Sequence, residues 1–173
     1  MQDKKKTDVR KRILIHDLGK EYDEVFENKA DRVICADGRY APCQGCFHCW
    51  TKTPAACELS DSLQEICRVT GSADELVIIT ENWYGGHSPN VKNILDRSIG
   101  QSTPLSTYRN MEMHHCLRYG KHDKLKVIVY GDMTGREEAT FELMTERNAI
   151  NHGFREHEFI HVENKEDIGG IAL

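Results

Sequence analysis

The residues best suited to chemistry in this sequence are four cysteines in the segment CQGCFHCWTKTPAAC, at Cys43, Cys46, Cys49 and Cys57. The gaps between successive cysteines are two, two and seven residues long. Two-residue gaps bring sulfur atoms together on one tight turn, and thiolates are the soft ligands that zinc and iron–sulfur clusters select. The spacing therefore predicts a site for a metal ion or a cluster, with free thiols as the alternative.

The last gap leaves the kind of site open. A related run with a shorter last gap holds iron–sulfur clusters. A structural zinc site more often pairs two C-x-x-C units across a spacer. An iron–sulfur cluster, a zinc ion and free thiols thus all remain as readings of the run.

Length and composition limit the class of protein. The chain has 173 residues, which fits one domain with a proper core. No apolar run is long enough to span a membrane, and residues 1–11 read as a basic tail without the apolar core of a signal peptide. We therefore expect a cytoplasmic protein whose seven cysteines stay reduced. The net charge of −5 argues against nucleic acid as a partner.

Five short segments rich in aliphatic residues alternate with helical patterns along residues 12–173. This alternation predicts an α/β domain with a parallel sheet that is covered on both faces. The predicted strands are Arg12–His16, Arg32–Cys35, Glu75–Thr80, Leu125–Tyr130 and His157–Val162.

Two of the predicted helices have clear boundary signals. Ser88 is suited to cap a helix whose first residue is Pro89. The last long helix begins with a capping box formed by Thr134 and Glu137, and it ends near Gly153. We expect Phe141, Leu143, Met144 and Ile150 to supply its apolar face.

The other connections are less regular. Leu18–Asp31 allows only a short helix of about two turns between the first two strands. A helix is predicted over Asp61–Thr70, with Gly71 just beyond its end. Residues 100–123 have no clean periodicity, which predicts a long loop or an arm that forms an interface.

Two loops should lie at the carboxyl edge of the sheet, where open α/β sheets bind ligands. The loop after the third strand combines aromatic side chains with glycines, which suits contact with a planar ring. The loop after the fourth strand precedes another helix N-terminus. The candidate ligand-binding residues are Asn82, Trp83, Tyr84, Gly85, Gly86, Gly131, Asp132 and Thr134. Packing at an interface is the alternative for the two aromatic residues.

The middle third of the chain resembles the flavodoxin-like NAD(P)H-dependent FMN reductase family, especially its iron–sulfur flavoprotein branch. The resemblance rests on APCQGCFHCW, Cys57, SDSLQEI, ADELVIIT and WYGGHSPNVKNILDR. It implies a flavodoxin-like three-layer sandwich with a five-stranded parallel sheet of order 2-1-3-4-5, FMN at the switch point, NAD(P)H as co-substrate, and homodimers or homotetramers. It also implies that the four cysteines hold a 4Fe-4S cluster. Residues 82–86 would contact the flavin ring and residues 131–134 would flank it.

The loop after the first strand departs from that family, whose members carry G-S-x-R-x-x-S-x-T there. Here the loop reads HDLGKEYD and contains no serine or threonine. Asp17, Glu21 and Asp23 would repel a phosphate, and only Gly19 and Lys20 suit one. Either the phosphate is held elsewhere, or the chain has lost its flavin.

Three functions follow as hypotheses. The first is an FMN-dependent NAD(P)H oxidoreductase or electron-transfer flavoprotein with an unknown electron acceptor, which needs no side chain as a catalytic acid or base. The second is a non-enzymatic metal- or cluster-binding domain that has lost FMN. The third is a small-molecule binding or assembly module.

Several further residues have a structural interpretation. Cys35, Cys67 and Cys116 are predicted to be small buried hydrophobic residues. His48 is predicted to be a surface residue, and Asp96 and Arg97 are predicted to form no more than helix-end ion pairs with neighbouring residues.

Overall fold

The computed structural model describes residues 10–109, 111–120 and 122–173. The strands among these residues are β1 (Arg12–His16), β2 (Arg32–Cys35), β3 (Glu75–Glu81), β4 (Ser102–Arg109), β5 (Glu112–Leu117), β6 (His122–Tyr130) and β7 (Phe154–Val162). The helices are α1 (Asp23–Phe26), α2 (His48–Thr51), α3 (Ile66–Gly71), α4 (Pro89–Arg97) and α5 (Gly135–His152), with 3₁₀ turns at Lys20–Tyr22, Ile99–Gln101 and Lys165–Gly170.

The main sheet of the described residues is parallel throughout, with the order β2-β1-β3-β6-β7. Counting its strands along the chain gives the order 2-1-3-4-5, which is the flavodoxin-like order. The predicted fold is therefore confirmed. None of the helices in the described ranges is long and apolar enough to cross a membrane.

The two faces of the sheet bury two separate clusters of side chains. Ile13 and Ile15 of β1 point to the cluster that α3, α4 and α5 cover, whereas Leu14 points to the opposite cluster. Phe26 of α1 and Ile168 of the last 3₁₀ turn cover that second cluster. Because both faces are buried, the strands read as continuous apolar runs instead of alternating ones.

The helix boundary signals hold for α4 and α5. The Ser88 hydroxyl accepts a hydrogen bond from the Val91 N–H, and Thr134 with Glu137 forms a complete capping box. Gly153 ends α5 in the left-handed conformation, at φ 82°. Leu143 does not belong to the buried face, because 53% of its side chain is exposed.

Helix α3 is shorter than predicted, because it begins at Ile66 and not at Asp61. The Asp61 carboxylate instead accepts hydrogen bonds from backbone N–H groups of a turn and of a neighbouring segment. Gly71 lies inside the helix and not beyond its end. A Cβ atom on Gly71 would lie 2.4 Å from the Tyr119 ring, so close packing is what requires a glycine there.

The two irregular connections contain more regular structure than the sequence pattern indicated. Residues after β1 form a 3₁₀ turn and then one turn of α1, in place of a single helix of two turns. The segment predicted as a loop or an arm contains an antiparallel hairpin, in which Tyr108 of β4 pairs with Met113 of β5. β4 is mostly exposed and β5 mostly half-buried, and neither has a fully buried residue, so burial leaves no period-two pattern in their sequence.

Candidate functional site

A cleft of about 940 Å³ lies between the segment that follows β2, the loop after β3, the middle and end of α4, and one side of α5. The four cysteines predicted as metal ligands line this cleft, together with Trp83 and Gly86 of the predicted ring-binding loop. The structure thus brings together the two features that carried the functional interpretation. We call residues 43–57 the cysteine segment.

The four sulfur atoms of the cysteine segment interact with one another. Cys43 and Cys46 are exposed, Cys49 and Cys57 are half-buried, and all four are free thiols. Burial, followed by the charges of Cys57, Cys43 and Cys46, raises the pKa of the Cys49 thiol. Four cysteines that line one cleft form a donor set that suits a soft metal ion or a cluster.

A buried arginine fixes both ends of the cysteine segment. The Arg97 guanidinium donates to the Asp61 carboxylate at 2.5 Å, to the Ala41 carbonyl at 3.1 Å and to the Leu59 carbonyl at 3.4 Å. Asp61 in turn accepts from the Ala41 N–H at 3.1 Å. The prediction that Arg97 forms only a helix-end ion pair is therefore wrong, because its side chain is fully buried.

The helix-end ion pair of α4 is formed by other residues. Lys92 contacts Asp96 at 2.7 Å, and both side chains are largely exposed. This pair lies on the same helix as Arg97 but holds no loop.

The cysteine segment packs tightly on the backbone that follows α4. A Cβ atom on Gly100 would lie 2.8 Å from the Cys67 sulfur and 2.9 Å from the Cys49 Cβ atom. Cys67 is fully buried, as predicted, and its thiol donates to the Arg97 carbonyl at 3.1 Å. Burial raises the pKa of Cys67 to about 12, so it remains a thiol. Cys35 and Cys116 are only half-buried, contrary to the prediction.

The cysteine segment also offers donors other than sulfur. Donor atoms of Cys46, His48 and Glu58 lie within 4.8 Å of one another. The His48 ring contacts the Glu58 carboxylate through Nδ1. His48 was predicted to be a surface residue, but it lies half-buried beside a predicted metal ligand.

Two histidines that the sequence interpretation missed also line the cleft. Burial lowers the pKa of His87 and of His152 to about 4 each, so both rings are neutral at pH 7. His152 Nδ1 lies 2.5 Å from the Gln101 side-chain nitrogen, whereas His87 Nδ1 has no hydrogen-bond partner among the described residues. The position of His87, between the ring-binding loop and the cap of α4, was the available signal.

The loop after β3 is a tight turn that leaves one aromatic ring free. Trp83 and Gly86 exchange backbone hydrogen bonds at 2.9 and 3.0 Å. Tyr84, at the tip, has φ 52° and 88% of its side chain exposed. A Cβ atom on Gly85 would lie 3.2 Å from the Glu137 backbone, so Gly85 is required by packing on α5.

The predicted residues after β6 lie in a different place from the cysteines. Asp132 and Thr134 line a separate depression of about 370 Å³, and the Asn82 side chain connects the two loops by donating to the Asp132 carbonyl at 2.8 Å. The Thr134 hydroxyl is used in the capping box. Gly131 donates its N–H to the end of β7. The structure therefore divides the predicted ligand-binding set between two surfaces.

The loop after β1 does not fit a phosphate. Asp17 accepts hydrogen bonds from the Tyr130 hydroxyl, the Thr80 hydroxyl and the Glu81 N–H at 3.1 to 3.3 Å. Burial, and then the Asp17 charge, raises the pKa of Tyr130, which keeps the phenol as a donor.

The remaining groups of this loop are also unsuited to an anion. The Glu21 carboxylate folds over Gly19, 2.5 Å from where a Cβ atom would stand. Lys20 is paired with Asp37 at 3.4 Å. A phosphate here would meet carboxylates, so FMN does not fit with its phosphate on this loop.

Solved structures share the fold of this chain. An FMN-dependent NADH-azoreductase from Bacillus anthracis in complex with FMN matches with a TM-score of 0.56 and 12% identity, over 93% of this chain and 92% of that one. A putative quinone reductase from Klebsiella pneumoniae gives 0.58 and 11%, over 90% and 76%. An NAD(P)H:quinone oxidoreductase from Methanothermobacter marburgensis gives 0.53 and 14%, over 90% and 88%. No protein-family model and no curated protein matches the sequence.

The Arg97 contacts lead to a stability prediction. Replacing Arg97 with Ala should lower the free energy of unfolding by about 3–5 kcal/mol, because it leaves the partly buried Asp61 charge and two carbonyls without a donor. Replacing Lys92 with Ala is the matched control on the same helix, and it should cost no more than about 1 kcal/mol because its pair is exposed. Urea unfolding measures both values. Equal losses in the two variants would contradict the role of Arg97.

The buried histidines predict how stability depends on pH. His87 and His152 have the ordinary histidine pKa of 6.5 in the unfolded chain, and burial lowers the pKa of each to about 4 in the folded chain. Between those values the unfolded chain binds more protons, so the free energy of unfolding should fall as the pH falls from about 6.5 to about 4.

Replacing His87 with Gln should reduce that slope by up to about 1.4 kcal/mol per pH unit. The exposed His157, replaced in the same way, should leave the slope unchanged. Urea unfolding at several pH values measures the slopes. A His87 variant with the wild-type slope would contradict the assignment.

Proposed function

We propose that this chain is an oxidoreductase whose redox centre lies in the cleft between the cysteine segment and the Trp83–Gly86 turn. The observation that carries the proposal is that four thiols and the exposed face of this turn line one cleft. The fold adds support, because it is the fold of an FMN-dependent NADH-azoreductase and of an NAD(P)H:quinone oxidoreductase.

The first redox group in the proposal is an iron–sulfur cluster held by Cys43, Cys46, Cys49 and Cys57. A cluster spaces its thiolates further apart than a single ion does, and among these four described cysteines no three sulfur atoms lie within 4.8 Å of one another. Arg97 supports this site through the backbone, because it donates to the carbonyls of Ala41 and Leu59 on either side of the four cysteines.

Zinc remains the alternative occupant of the cysteine segment. The observation that favours it is the close set of Cys46, His48 and Glu58 donor atoms. A tetrahedral ion takes sulfur, nitrogen and carboxylate ligands of this kind. Metal analysis separates the two occupants, because zinc comes without sulfide.

The second group in the proposal is a flavin that is recognised by its ring, with NAD(P)H as the source of electrons. Trp83 and the freely exposed Tyr84 offer aromatic faces for the ring. The first loop offers the FMN phosphate only carboxylates and a lysine that is already paired. We therefore expect the ring, and not the phosphate, to provide the affinity.

A second candidate function is that of an electron carrier without flavin, a non-enzymatic domain that keeps only the cysteine-bound group. The acidic first loop favours it, because Asp17 and Glu21 fill the position at which the fold binds a phosphate. Flavin content distinguishes this function from the first.

The proposal includes a homodimer or homotetramer in the cytoplasm. The hairpin exposes large apolar side chains at Leu105, Tyr108, Met111 and Met113, which a second subunit would cover. A compartment that keeps thiols reduced would preserve the four free cysteines. Both the assembly and the location stay predictions.

The experiment that tests the proposal is a visible absorption spectrum of protein purified without oxygen, with iron, sulfide and zinc assayed on the same sample. We expect iron with sulfide, and replacing Cys46 with Ser should remove most of both while the protein stays folded. Replacing Cys116, which lies outside the cleft, is the matched control and should change neither. Iron content that is unaffected by the Cys46 change would contradict the ligand role.

Flavin affinity tests the ring-based recognition, in buffer without added metal. We expect dissociation constants for FMN and riboflavin within about threefold of each other. A single charge-assisted hydrogen bond to the phosphate, worth about 1.5–3 kcal/mol, would favour FMN by roughly tenfold or more. Fluorescence quenching measures both constants, and a clear preference for FMN would contradict the proposal.

A ring contact by Tyr84 makes the same titration more specific. Replacing Tyr84 with Ala should raise the dissociation constants of both flavins by roughly three- to tenfold, the loss expected for one stacked aromatic pair. Tyr108 is an equally suitable exposed tyrosine on the hairpin, and its replacement with Ala should leave both affinities unchanged. Unchanged affinity in the Tyr84 variant would count against the contact.

A further inference from the structure

A second set of metal-binding side chains lies away from the cysteine segment, where β1 and β2 end. His16 is the last residue of β1, Cys35 is the last residue of β2, and Asp23 is the first residue of α1. Because β1 and β2 are parallel neighbours with His16 opposite Cys35, the sheet itself places these two side chains together. Donor atoms of His16, Asp23 and Cys35 lie within 4.8 Å of one another.

The three donors form a partly closed site. The His16 side chain is fully buried, Cys35 is half-buried, and 38% of the Asp23 side chain is exposed. A His16 ring nitrogen, Nε2, lies 2.9 Å from the Asp23 carboxylate. The other nitrogen, Nδ1, has no hydrogen-bond partner in the described ranges 10–109, 111–120 and 122–173.

The charges around the site favour a cation. Besides Asp23 itself, the negative charges of Asp17 and Glu21 lie near enough to His16 to interact with it electrostatically, and the charge of Asp37 does the same for Cys35. Lys20 is the basic side chain that acts on Cys35 from the same loop.

We propose that His16, Asp23 and Cys35 bind a divalent zinc ion at the ends of β1 and β2. Imidazole nitrogen, carboxylate oxygen and thiolate sulfur are all zinc ligands. Three protein ligands leave the fourth tetrahedral position for water or for an anionic group. The exposed edge of Asp23 gives the ion a path from solvent. The site does not depend on the proposed function of the cysteine segment.

The distances suit this ion with small movements. Zinc–ligand bonds of about 2.0–2.3 Å at tetrahedral angles place ligand atoms roughly 3.3–3.6 Å apart. The donor atoms already lie within 4.8 Å, and the closest pair is separated by 2.9 Å. Binding would open the His16–Asp23 contact slightly and draw the Cys35 sulfur inward. It would also make the ends of β1 and β2 less negative without reversing their charge, because the carboxylates of Asp17, Glu21 and Asp37 remain nearby.

The test is a calorimetric titration of the full-length, metal-free protein with Zn²⁺ under a non-thiol reductant. Replacing Cys35 with Ser should remove one equivalent of zinc, and replacing Asp23 with Asn should weaken the same equivalent at least tenfold. The controls are Cys116→Ser and Glu24→Gln, another cysteine outside the cleft and the next acidic residue of α1. Both should leave that equivalent unchanged.

A further variant distinguishes zinc bound at this site from zinc bound by the cysteine segment. Cys46→Ser should leave the Cys35-dependent equivalent in place, whatever happens to any other bound zinc. Circular dichroism of each variant confirms that it is folded, and His16→Gln provides a third ligand change. The same zinc stoichiometry and affinity in wild type, Cys35→Ser and Asp23→Asn would overturn the proposal.

Discussion

The buried contact between the Arg97 guanidinium and the Asp61 carboxylate is the interaction on which the geometry of the cleft depends. The chain between β2 and α3 has one turn of helix and little core of its own, so local structure cannot hold its cysteines in place. Arg97 donates to carbonyls at both ends of that segment from a fixed position on α4. Burying a charged pair costs solvation energy, and it is retained here because one fork-shaped side chain satisfies three acceptors at once.

The sheet determines which groups meet at its carboxyl edge, and this explains why the two halves of the proposed flavin site differ. After β3, a tight turn ends in a capped helix and leaves the Tyr84 ring exposed. After β1, the Asp17 carboxylate faces the protein, where it accepts hydrogen bonds from groups on β3 and β6. The fold thus supplies surfaces for an aromatic ring without supplying the loop that normally binds its phosphate.

The sequence was sufficient for the fold because the strands in the centre of the sheet are buried on both faces. The predicted β1 has the observed bounds, β3 ends one residue later than predicted, and β6 begins three residues earlier than predicted; the edge strand β2 also has the observed bounds. The edge strand β7 begins at Phe154, three residues before its predicted start. The start was missed because the residues that follow Phe154 are exposed and polar, which hides the strand pattern. The hairpin was missed for the same reason, since strands without a buried face have no alternating pattern.

The site was predicted only in part, because contacts between distant residues decide it. Spacing alone brought out the four cysteines, which share a local sequence. The roles of Arg97 and His87 depend on which segments pack against α4 and α5, and a single sequence does not contain that information. Thr134 was predicted both to cap a helix and to bind a ligand, and its hydroxyl lies in the predicted cap.

The negative charge of the first loop belongs to a carboxylate that holds the ends of the strands together, and not to a freely exposed side chain. The Asp17 carboxylate joins the carboxyl ends of three neighbouring strands, β1, β3 and β6, through the Glu81 N–H and the Tyr130 hydroxyl. Exchanging it for a phosphate-binding residue would break those contacts as well as change the charge. A cation at this edge is compatible with the same contacts, because it needs only the carboxylate, imidazole and thiol groups that the strand ends already place together.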